Sequence, residues 1–367
     1  MTSAPGMLAL VTEAFGGRGG IAQYNRDFLS ALAGTGPEGV TVRSITVLPR
    51  HAPDKVMAPT GIRQMPPRPS RLTYALNALA IALTQQVDLV FCGHLYMSPL
   101  AALIARLCGA RLMVQMHGIE AWPRPTRLRR AAVETADLVL CVSRHTRARV
   151  LSWAAIEPER VVVLPNTVAE AFTPGDASAL RAKWGLEGKR VLLTVGRMDA
   201  RERYKGHDRV IRALPQLIAA GYDVMYVVLG EGDDVTRLKS LAMETGVADR
   251  VRFMGAAGLD TLVHAYRMAD LFVMPSTGEG FGITFIEAMG SGTPALGLAT
   301  AGAMDALADG ELGVAAAEAD LPDTLSRVLQ GPRPDPRALA AAVDRRFGRE
   351  RFAARAGAVI ARLREVT

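Results

Sequence analysis

Two glutamates flank a glycine-rich turn in the most distinctive stretch of the sequence, GEGFGITFIEAMGSGTP. Glu279 comes before the turn and Glu287 comes after it, with seven residues between them. The amides available between them, ahead of a predicted helix, are those of Phe281, Gly282 and Ile283. Carboxylates accept hydrogen bonds from hydroxyls and amides donate to oxygens, which is the chemistry that a sugar requires. Charge compensation at a helix N-terminus is the alternative for the glutamates, although it leaves the glycines unexplained.

Positive charge precedes this stretch along the chain. Arg197 follows an apolar run that ends at Val195, and Lys205 comes just before a helical pattern that begins at His207. An arginine offers a planar fork and a lysine a compact cation, and both suit a diphosphate. Surface ion pairs with Asp199 and Glu202 are the alternative for these two residues.

A glycine loop, GGRGG at residues 16–20, lies between the first apolar run and a helical pattern. Free amides at the start of a helix attract anions such as phosphate, so Gly19 and Gly20 are candidate phosphate contacts. A simple strand-to-helix turn is the alternative. His117 follows another apolar run, and its alternative is a structural, buried histidine.

Short apolar runs alternate with amphipathic stretches along the chain, which predicts parallel sheets covered by helices on both faces. The predicted strands are Met7–Thr12, Val40–Val47, Asp88–Cys92, Arg111–Met116, Asp137–Val142, Val161–Leu164, Arg190–Val195, Asp223–Leu229, Val251–Met254 and Leu271–Met274. The predicted helices are Ile21–Ala33, Leu72–Gln86, Pro99–Cys108, Arg127–Ala136, His207–Ala220, Val235–Glu244 and Leu259–Ala269. Further elements are predicted at Gly282–Met289, Leu321–Leu329 and Arg337–Phe347.

A polar stretch with proline and glycine, NTVAEAFTPGD at residues 166–176, interrupts the alternation and is a candidate linker. We therefore predict an α/β protein of two doubly wound, Rossmann-like domains facing each other across a cleft. The domains are expected at residues 1–168 and 169–367, with a last helix able to pack back on the first domain. Ligands of such sheets bind beyond the carboxyl ends of the strands.

The composition excludes several classes of protein. The 367 residues are 49% hydrophobic and 22% charged, which is typical of a folded globular chain. Three cysteines without CxxC spacing argue against a disulfide framework and a structural zinc site. No basic residue precedes the short N-terminal apolar run, and no apolar stretch reaches the ~20 residues that span a bilayer. We expect a cytoplasmic protein, peripheral at the inner face of the membrane.

The net charge of +7 is unevenly distributed. Residues 1–170 contain 18 Lys+Arg and 11 Asp+Glu, whereas residues 171–367 contain 25 of each. Seven arginines lie within residues 121–150, at positions Arg124, Arg127, Arg129, Arg130, Arg144, Arg147 and Arg149. A solvated face and a docking surface for anionic lipid or a polyanionic substrate are both open readings. Few aromatic residues and no known motif support nucleic-acid binding.

The motifs GGRGG, HGIEAW, GRMDARERYKGHD and EGFGITFIEAMGSGTP together resemble glycosyltransferase family 4, the retaining nucleotide-sugar transferases of the GT-B fold. The resemblance covers nearly the whole chain, and the spacing of Glu279 and Glu287 is its diagnostic feature. It implies that residues 1–168 bind the acceptor and residues 169–367 bind the nucleotide-sugar donor.

The resemblance also implies a role for each candidate residue of the second half. Arg197 and Lys205 would hold the donor diphosphate, and Glu287 would bind the ribose hydroxyls. Glu279, with the amides of Phe281–Ile283, would hold the sugar hydroxyls. The nucleotide base would stack near the loop at Met254 and Gly255.

In the first half, the resemblance implies that His117 contacts the transferred sugar and that Gly19 and Gly20 lie against the phosphate. Glu279, His117, Arg197 and Lys205 are the expected catalytic residues. Seven residues separate Arg197 from Lys205, more than the common family spacing, and the longer loop makes Arg201 and Arg203 additional candidate contacts.

The expected function is transfer of a hexose to a glycan or lipid-linked glycan in bacterial polysaccharide or glycolipid synthesis. GDP-mannose is the first choice of donor, from a resemblance to bacterial exopolysaccharide mannosyltransferases. The alternatives are a UDP-sugar transferase of the same fold, a nucleotide-sugar epimerase or phosphorylase, and a non-catalytic nucleic-acid-binding protein. An anionic membrane surface is an expected partner of the N-terminal domain.

The simplest explanation of the acidic cluster Glu231-Gly232-Asp233-Asp234 is a turn followed by a helix N-cap. We therefore expect no metal site, no cofactor and metal-independent transfer. Retention of configuration is implied by the resemblance alone.

Overall fold

A computed structural model describes residues 5–33, 35–36, 39–40, 42–51 and 57–365. In these ranges the strands are β1 Gly6–Val11, β2 Thr35–Gly36, β3 Gly39–Val40, β4 Ser44–Pro49, β5 Ile62–Gln64, β6 Leu89–Cys92, β7 Arg111–Met116, β8 Leu138–Cys141, β9 Val161–Val163, β10 Arg190–Val195, β11 Val224–Leu229, β12 Val251–Phe253, β13 Leu271–Met274, β14 Ala295–Leu298 and β15 Val314–Ala316. The α-helices are α1 Gly20–Ala33, α2 Arg71–Thr84, α3 Ser98–Cys108, α4 Arg127–Glu134, α5 Arg144–Leu151, α6 Ser178–Lys183, α7 His207–Ala219, α8 Val235–Glu244, α9 Leu259–Met268, α10 Ile283–Gly290, α11 Ala303–Ala306, α12 Leu321–Gln330, α13 Pro336–Phe347 and α14 Arg349–Glu365.

The chain divides into two compact units. Residues 1–167 and 349–367 form the first unit, and residues 168–348 form the second. The division lies one residue from the predicted one, and α14 belongs to the first unit. There α14 packs along α1, with the ring centroids of Phe352 and Tyr24 6.0 Å apart.

The first unit contains a parallel sheet in the order β5-β4-β1-β6-β7-β8-β9. Its central strand β1 is buried along its length, because an uninterrupted apolar run suits a strand covered on both faces. Leu8 and Leu10 of β1 share one core with Tyr74 of α2 and Ala101 of α3. The strand order changes direction between β1 and β6, so the loops after these strands diverge at that point.

The second unit repeats this architecture with a parallel sheet in the order β12-β11-β10-β13-β14-β15. Alternate residues of its strands, such as Leu192 and Tyr226, pack on Leu214 of α7 and Leu325 of α12. The order changes direction between β10 and β13. The loops after those two strands contain Arg197 and Glu279.

The predicted fold class is confirmed, and the observed differences lie at short or unusually composed elements. The edge strand β5 has only three residues, and α5 is mostly polar, so neither has a clear apolar period. Strands β14 and β15 are rich in alanine and glycine, which are weak strand signals. The predicted strand Val40–Val47 includes Thr41, which lies outside the described residues; the main strand there is Ser44–Pro49.

Candidate functional site

Three strand ends of the second unit meet through glycine backbones. The Gly196 amide donates to the Leu229 carbonyl at 2.9 Å, and the Gly230 amide donates to the Gly255 carbonyl at 2.8 Å. Gly230 has a φ of +145°, and a Cβ atom there would lie 1.9 Å from the Gly196 carbonyl oxygen. The loop that starts at Gly196 is therefore adjacent to the loop at Met254 and Gly255.

Lys205 and Glu279 lie in contact where β10 and β13 diverge. Their side chains, 74 residues apart in sequence, approach to 3.4 Å between Nζ and Oε1. Both are largely buried, with side-chain exposures of 16% and 12%. The contact depends on Gly206, which has a φ of +79° and packs so closely on Pro275 that a Cβ atom would lie 2.3 Å from its carbonyl oxygen.

Tyr204 also holds these two loops together. Its carbonyl accepts from the Thr277 amide at 2.9 Å, and its ring covers Gly278. The segment Ala200–Lys205 forms a short 3₁₀ helix, capped by the Asp199 side chain. The extra residues of this loop therefore form an ordered turn that brings Lys205 to Glu279.

Arg197 lies on the same loop with its side chain 74% exposed and paired with Glu202. Arg201 pairs with Asp199 at 3.3 Å, and Arg203 pairs with Asp234 at 3.0 Å. Arg197 is therefore available to a ligand that competes with Glu202 for its guanidinium.

Glu287 occupies the fifth position of α10 and is 5% exposed. The Tyr266 hydroxyl donates to Glu287 Oε2 at 2.8 Å, and burial, followed by the Glu287 charge, raises the pKa of Tyr266 well above its usual value. The first turn of α10 contains no acidic residue, which argues against charge compensation as the reason for either glutamate.

The turn before α10 is built by Gly282, whose φ of +93° favours glycine. Within the described part of the chain, the amides of Phe281, Gly282 and Ile283 have no hydrogen-bond acceptor. These donors lie two to four residues after Glu279. A carboxylate acceptor and free amide donors thus lie on one short turn.

In the first unit, the glycine loop lies beside the point where β1 and β6 diverge. Gly19 has a φ of +86° with open space where a side chain would be, and it is exposed together with Gly20 at the start of α1. Gly93, directly after β6, donates its amide to the Leu10 carbonyl at 2.8 Å and packs against Asn25 of α1.

His117 lies directly after β7 in the same region. Its Nε2 lies 2.9 Å from the Gly93 carbonyl oxygen, and its ring packs edge-on against Tyr24 of α1, with centroids 5.3 Å apart. Burial lowers the pKa of His117 to about 4. The ring is therefore neutral near pH 7, and because a carbonyl only accepts, Nε2 carries the proton.

Comparisons with known proteins show which family the chain belongs to. The model of Glycosyltransferase Family 4 matches residues 18–172, and that of Glycosyl transferases group 1 matches residues 176–343. A GDP-mannose-dependent alpha-(1-6)-phosphatidylinositol monomannoside mannosyltransferase of Mycolicibacterium smegmatis is 31% identical over 359 residues, which cover 91% of each chain. The chain belongs to glycosyltransferase family 4.

Other similar proteins extend this result. A D-inositol 3-phosphate glycosyltransferase of Mycobacteroides abscessus is 31% identical over 76% of this chain, and the match spans 64% of that relative. Anabaena HepE, solved with UDP, superposes with a TM-score of 0.76 at 18% identity, covering 97% of this chain and 99% of its own. Sucrose-phosphate synthase from Thermosynechococcus elongatus gives a TM-score of 0.79 at 21% identity, covering 98% and 100%. The glycosyltransferase thus has the GT-B fold.

The acidic cluster of this family 4 enzyme differs in detail from the prediction. Asp234 is at the N-cap position of α8, but its carboxylate accepts from Arg203 and Arg237 and makes no capping hydrogen bond. Asp233 accepts from the Ala200 amide at 2.7 Å. No cluster of three His, Cys, Asp or Glu side chains suited to a metal ion occurs in the residues that the structure describes.

Three side chains near these loops were not predicted: His94, Tyr204 and Tyr266. His94 could have been found, because it follows a predicted strand as His117 does. Tyr204 and Tyr266 act through packing and through a hydrogen bond to Glu287, and no spacing in the sequence reveals such contacts.

Proposed function

We propose that this glycosyltransferase is a retaining hexosyltransferase that takes mannose from GDP-mannose without a metal ion. The observation that carries the proposal is the contact of Lys205 with Glu279 where β10 and β13 diverge. A cation suited to a diphosphate there adjoins a carboxylate suited to sugar hydroxyls.

Each side chain of the second unit is assigned by its chemistry and by the family motif. Lys205 and Arg197 bind the diphosphate, with Arg197 exchanging Glu202 for the phosphate. Glu279 and the amides of Phe281–Ile283 bind the sugar hydroxyls, and Glu287, oriented by Tyr266, binds the ribose. The loop at Met254 and Gly255 adjoins the Arg197 loop, which supports its assignment to the base.

Departure of the nucleoside diphosphate is the demanding step, because negative charge grows on it as the anomeric carbon becomes cationic. Lys205 is largely buried and already oriented, so it stabilises that charge with little reorganisation. Neutral His117 serves as a hydrogen-bonding group for the transferred sugar, and Gly19 and Gly20 contact the phosphate. Retention follows a front-face displacement in which the departing phosphate takes the proton of the acceptor hydroxyl.

The choice of GDP-mannose is supported by the relative from Mycolicibacterium smegmatis, whose name specifies that donor. The name of the same relative specifies a lipid acceptor. We propose the same donor and the same class of acceptor for this chain, so that it transfers mannose to a lipid-linked glycan.

An anionic membrane surface is the proposed docking partner of the first unit. Large exposed leucines lie on adjacent helices, at Leu72, Leu76 and Leu83 of α2, Leu103 and Leu107 of α3, and Leu128 of α4. A groove of about 540 Å³ between α3 and α4 shares the lining residue Ala131 with a pocket lined by Arg124, Arg127 and Arg130. Apolar side chains beside arginines suit a surface of anionic lipids. None of the helices in the described ranges has the length and hydropathy of a membrane-spanning segment.

Several arginines of residues 121–150 make contacts within the first unit. Arg147 donates to the Val161 and Pro158 carbonyls, Arg149 donates to the Trp122 carbonyl, and Arg129 stacks on Tyr96. Arg130 pairs with Glu134 at 3.3 Å. Arg124 and Arg127 are exposed and line the pocket beside the groove, so we assign them to phosphate headgroups.

A thermal-shift panel of nucleotide sugars tests the donor assignment. GDP-mannose at 100 times its Kd should stabilise the protein by ~2.7 kcal/mol, and UDP-glucose at that concentration should not. Product analysis with an acceptor should show mannosyl transfer that persists in EDTA. Stabilisation by UDP-sugars alone would mean that the donor is a UDP-sugar and not GDP-mannose. Conversion of the donor without an acceptor would favour an epimerase. A requirement for inorganic phosphate would favour a phosphorylase.

A further inference from the structure

A second histidine lies beside His117 in the first unit. His94 follows β6 by two residues, and its ring centroid is 6.2 Å from that of His117. It is 7% exposed, and no motif or comparison assigns it a role. Tyr96, whose ring centroid is 4.6 Å from that of His94, lies under the guanidinium of Arg129.

The protonation of His94 is fixed by its backbone contact. The Tyr96 amide donates to His94 Nδ1 at 3.2 Å, which requires that Nδ1 carry no proton. Burial lowers the pKa of His94 to about 4; the Glu120 carboxylate opposes this shift, and His117 and Arg129 add to it. The neutral ring therefore carries its proton on Nε2.

The two rings offer complementary free atoms. His94 Nε2 has no hydrogen-bond partner among the described residues. It is also not one of the unpaired polar atoms there that are fully buried, so this donor is open to solvent. His117 uses Nε2–H on the Gly93 carbonyl, so its free nitrogen, Nδ1, is an acceptor. A neutral donor and a neutral acceptor side by side suit hydroxyl groups, which both donate and accept.

We propose that His94 is a further donor-specificity residue, whose Nε2–H donates to a hydroxyl oxygen of the transferred sugar beside His117. The inference rests on the proposed function, since His117 is taken to contact that sugar. His94 thereby contributes to recognition of the sugar and makes no contribution to binding of the nucleotide alone.

Two substitutions separate this role from a structural one. Asn at position 94 can place an oxygen where Nδ1 accepts from the Tyr96 amide, but it does not reach as far as Nε2. Gln can place an amide N–H near the position of Nε2, but it loses the acceptor for the Tyr96 amide. The variants H94N and H94Q therefore control for each other.

The experiment measures the Kd of GDP and of GDP-mannose by calorimetry, and the KM and kcat for GDP-mannose turnover. H94N should bind GDP as the wild type does and bind GDP-mannose three- to tenfold more weakly, the effect of one neutral hydrogen bond, with KM rising accordingly. H94Q should recover most of this loss. Equal losses for both ligands, or recovery by H94N instead of H94Q, would show that His94 serves only to hold the Tyr96 amide. A wild type that binds neither ligand would overturn the proposed function itself, whereas normal GDP binding with unchanged variants would overturn the assignment of His94 alone.

Discussion

At the scale of single residues, Lys205 and Glu279 depend on each other. Both side chains are mostly removed from water, and an unpaired charge in such a buried position costs several kcal/mol. Each charge is compensated by the other. A diphosphate that binds Lys205 takes over this compensation and leaves the carboxylate free for hydroxyls. The pair thus couples diphosphate binding to sugar binding.

His207, next to this pair along the chain, gives a pH prediction. It is 4% exposed, and burial, followed by the charge of Lys205, lowers its pKa to about 4. A lowered histidine pKa means that the unfolded state takes up the proton first, so stability is complete above pH ~6.5 and falls as the pH drops towards 4. Urea unfolding at pH 7 and pH 5 should differ by about 2 kcal/mol less in His207→Leu than in the wild type. The same difference in both proteins would show that His207 is not shifted.

At the scale of elements, the direction changes in the two sheets account for the positions of the candidate residues. Parallel strands bring their carboxyl ends to one edge, so residues after β10 and β13 become neighbours although they are far apart in sequence. The meeting of these loops at one edge of the sheet is predictable from the alternation of apolar runs with amphipathic stretches. The close approach of the loops to one another is harder to predict, because it depends on glycines whose spatial neighbours the sequence does not reveal.

Gly230→Ala tests this element-level packing. The added methyl would lie 1.9 Å from the Gly196 carbonyl and force the ends of β10 and β11 apart. Gly221→Ala is a control for positive φ, since its φ of +89° also disfavours alanine but no atom lies within 4 Å of the added methyl. Gly221→Ala should cost about 1–2 kcal/mol, and Gly230→Ala should cost clearly more and also weaken GDP binding. Equal unfolding free energies for the two variants would contradict the close approach.

At the scale of the whole molecule, the sequence predicted two α/β units and the loops that hold the candidate residues. It did so because apolar period and glycine position are local signals. The direct pairing of Lys205 with Glu279 and the hydrogen bonds of Arg147 to the Val161 and Pro158 carbonyls are long-range contacts without a local signal, whereas the packing of the last helix on the first unit was expected.

The docking of the whole molecule on a membrane is tested by flotation with vesicles. Wild type should float with vesicles that contain anionic phosphatidylglycerol and stay behind with neutral phosphatidylcholine vesicles. Arg124→Glu with Arg127→Glu should abolish flotation, because reversing two charges changes the net charge of the proposed surface by four units. Arg212→Glu with Lys239→Glu makes the same charge change on exposed positions of the second unit and should float as the wild type does. Equal flotation with both vesicle types, or equal losses in both double variants, would remove the proposed surface.

The measurement that bears most directly on the donor site is the affinity for GDP, determined by calorimetry, in the wild type, Lys205→Met and Glu279→Gln. Lys205→Met should bind GDP about 10- to 100-fold more weakly, the effect of losing a charged hydrogen bond. Lys239→Met, on the exposed face of α8, should bind normally. Glu279→Gln should bind GDP at least as tightly as the wild type while losing affinity for GDP-mannose. Unchanged GDP affinity in Lys205→Met would contradict the proposed diphosphate site.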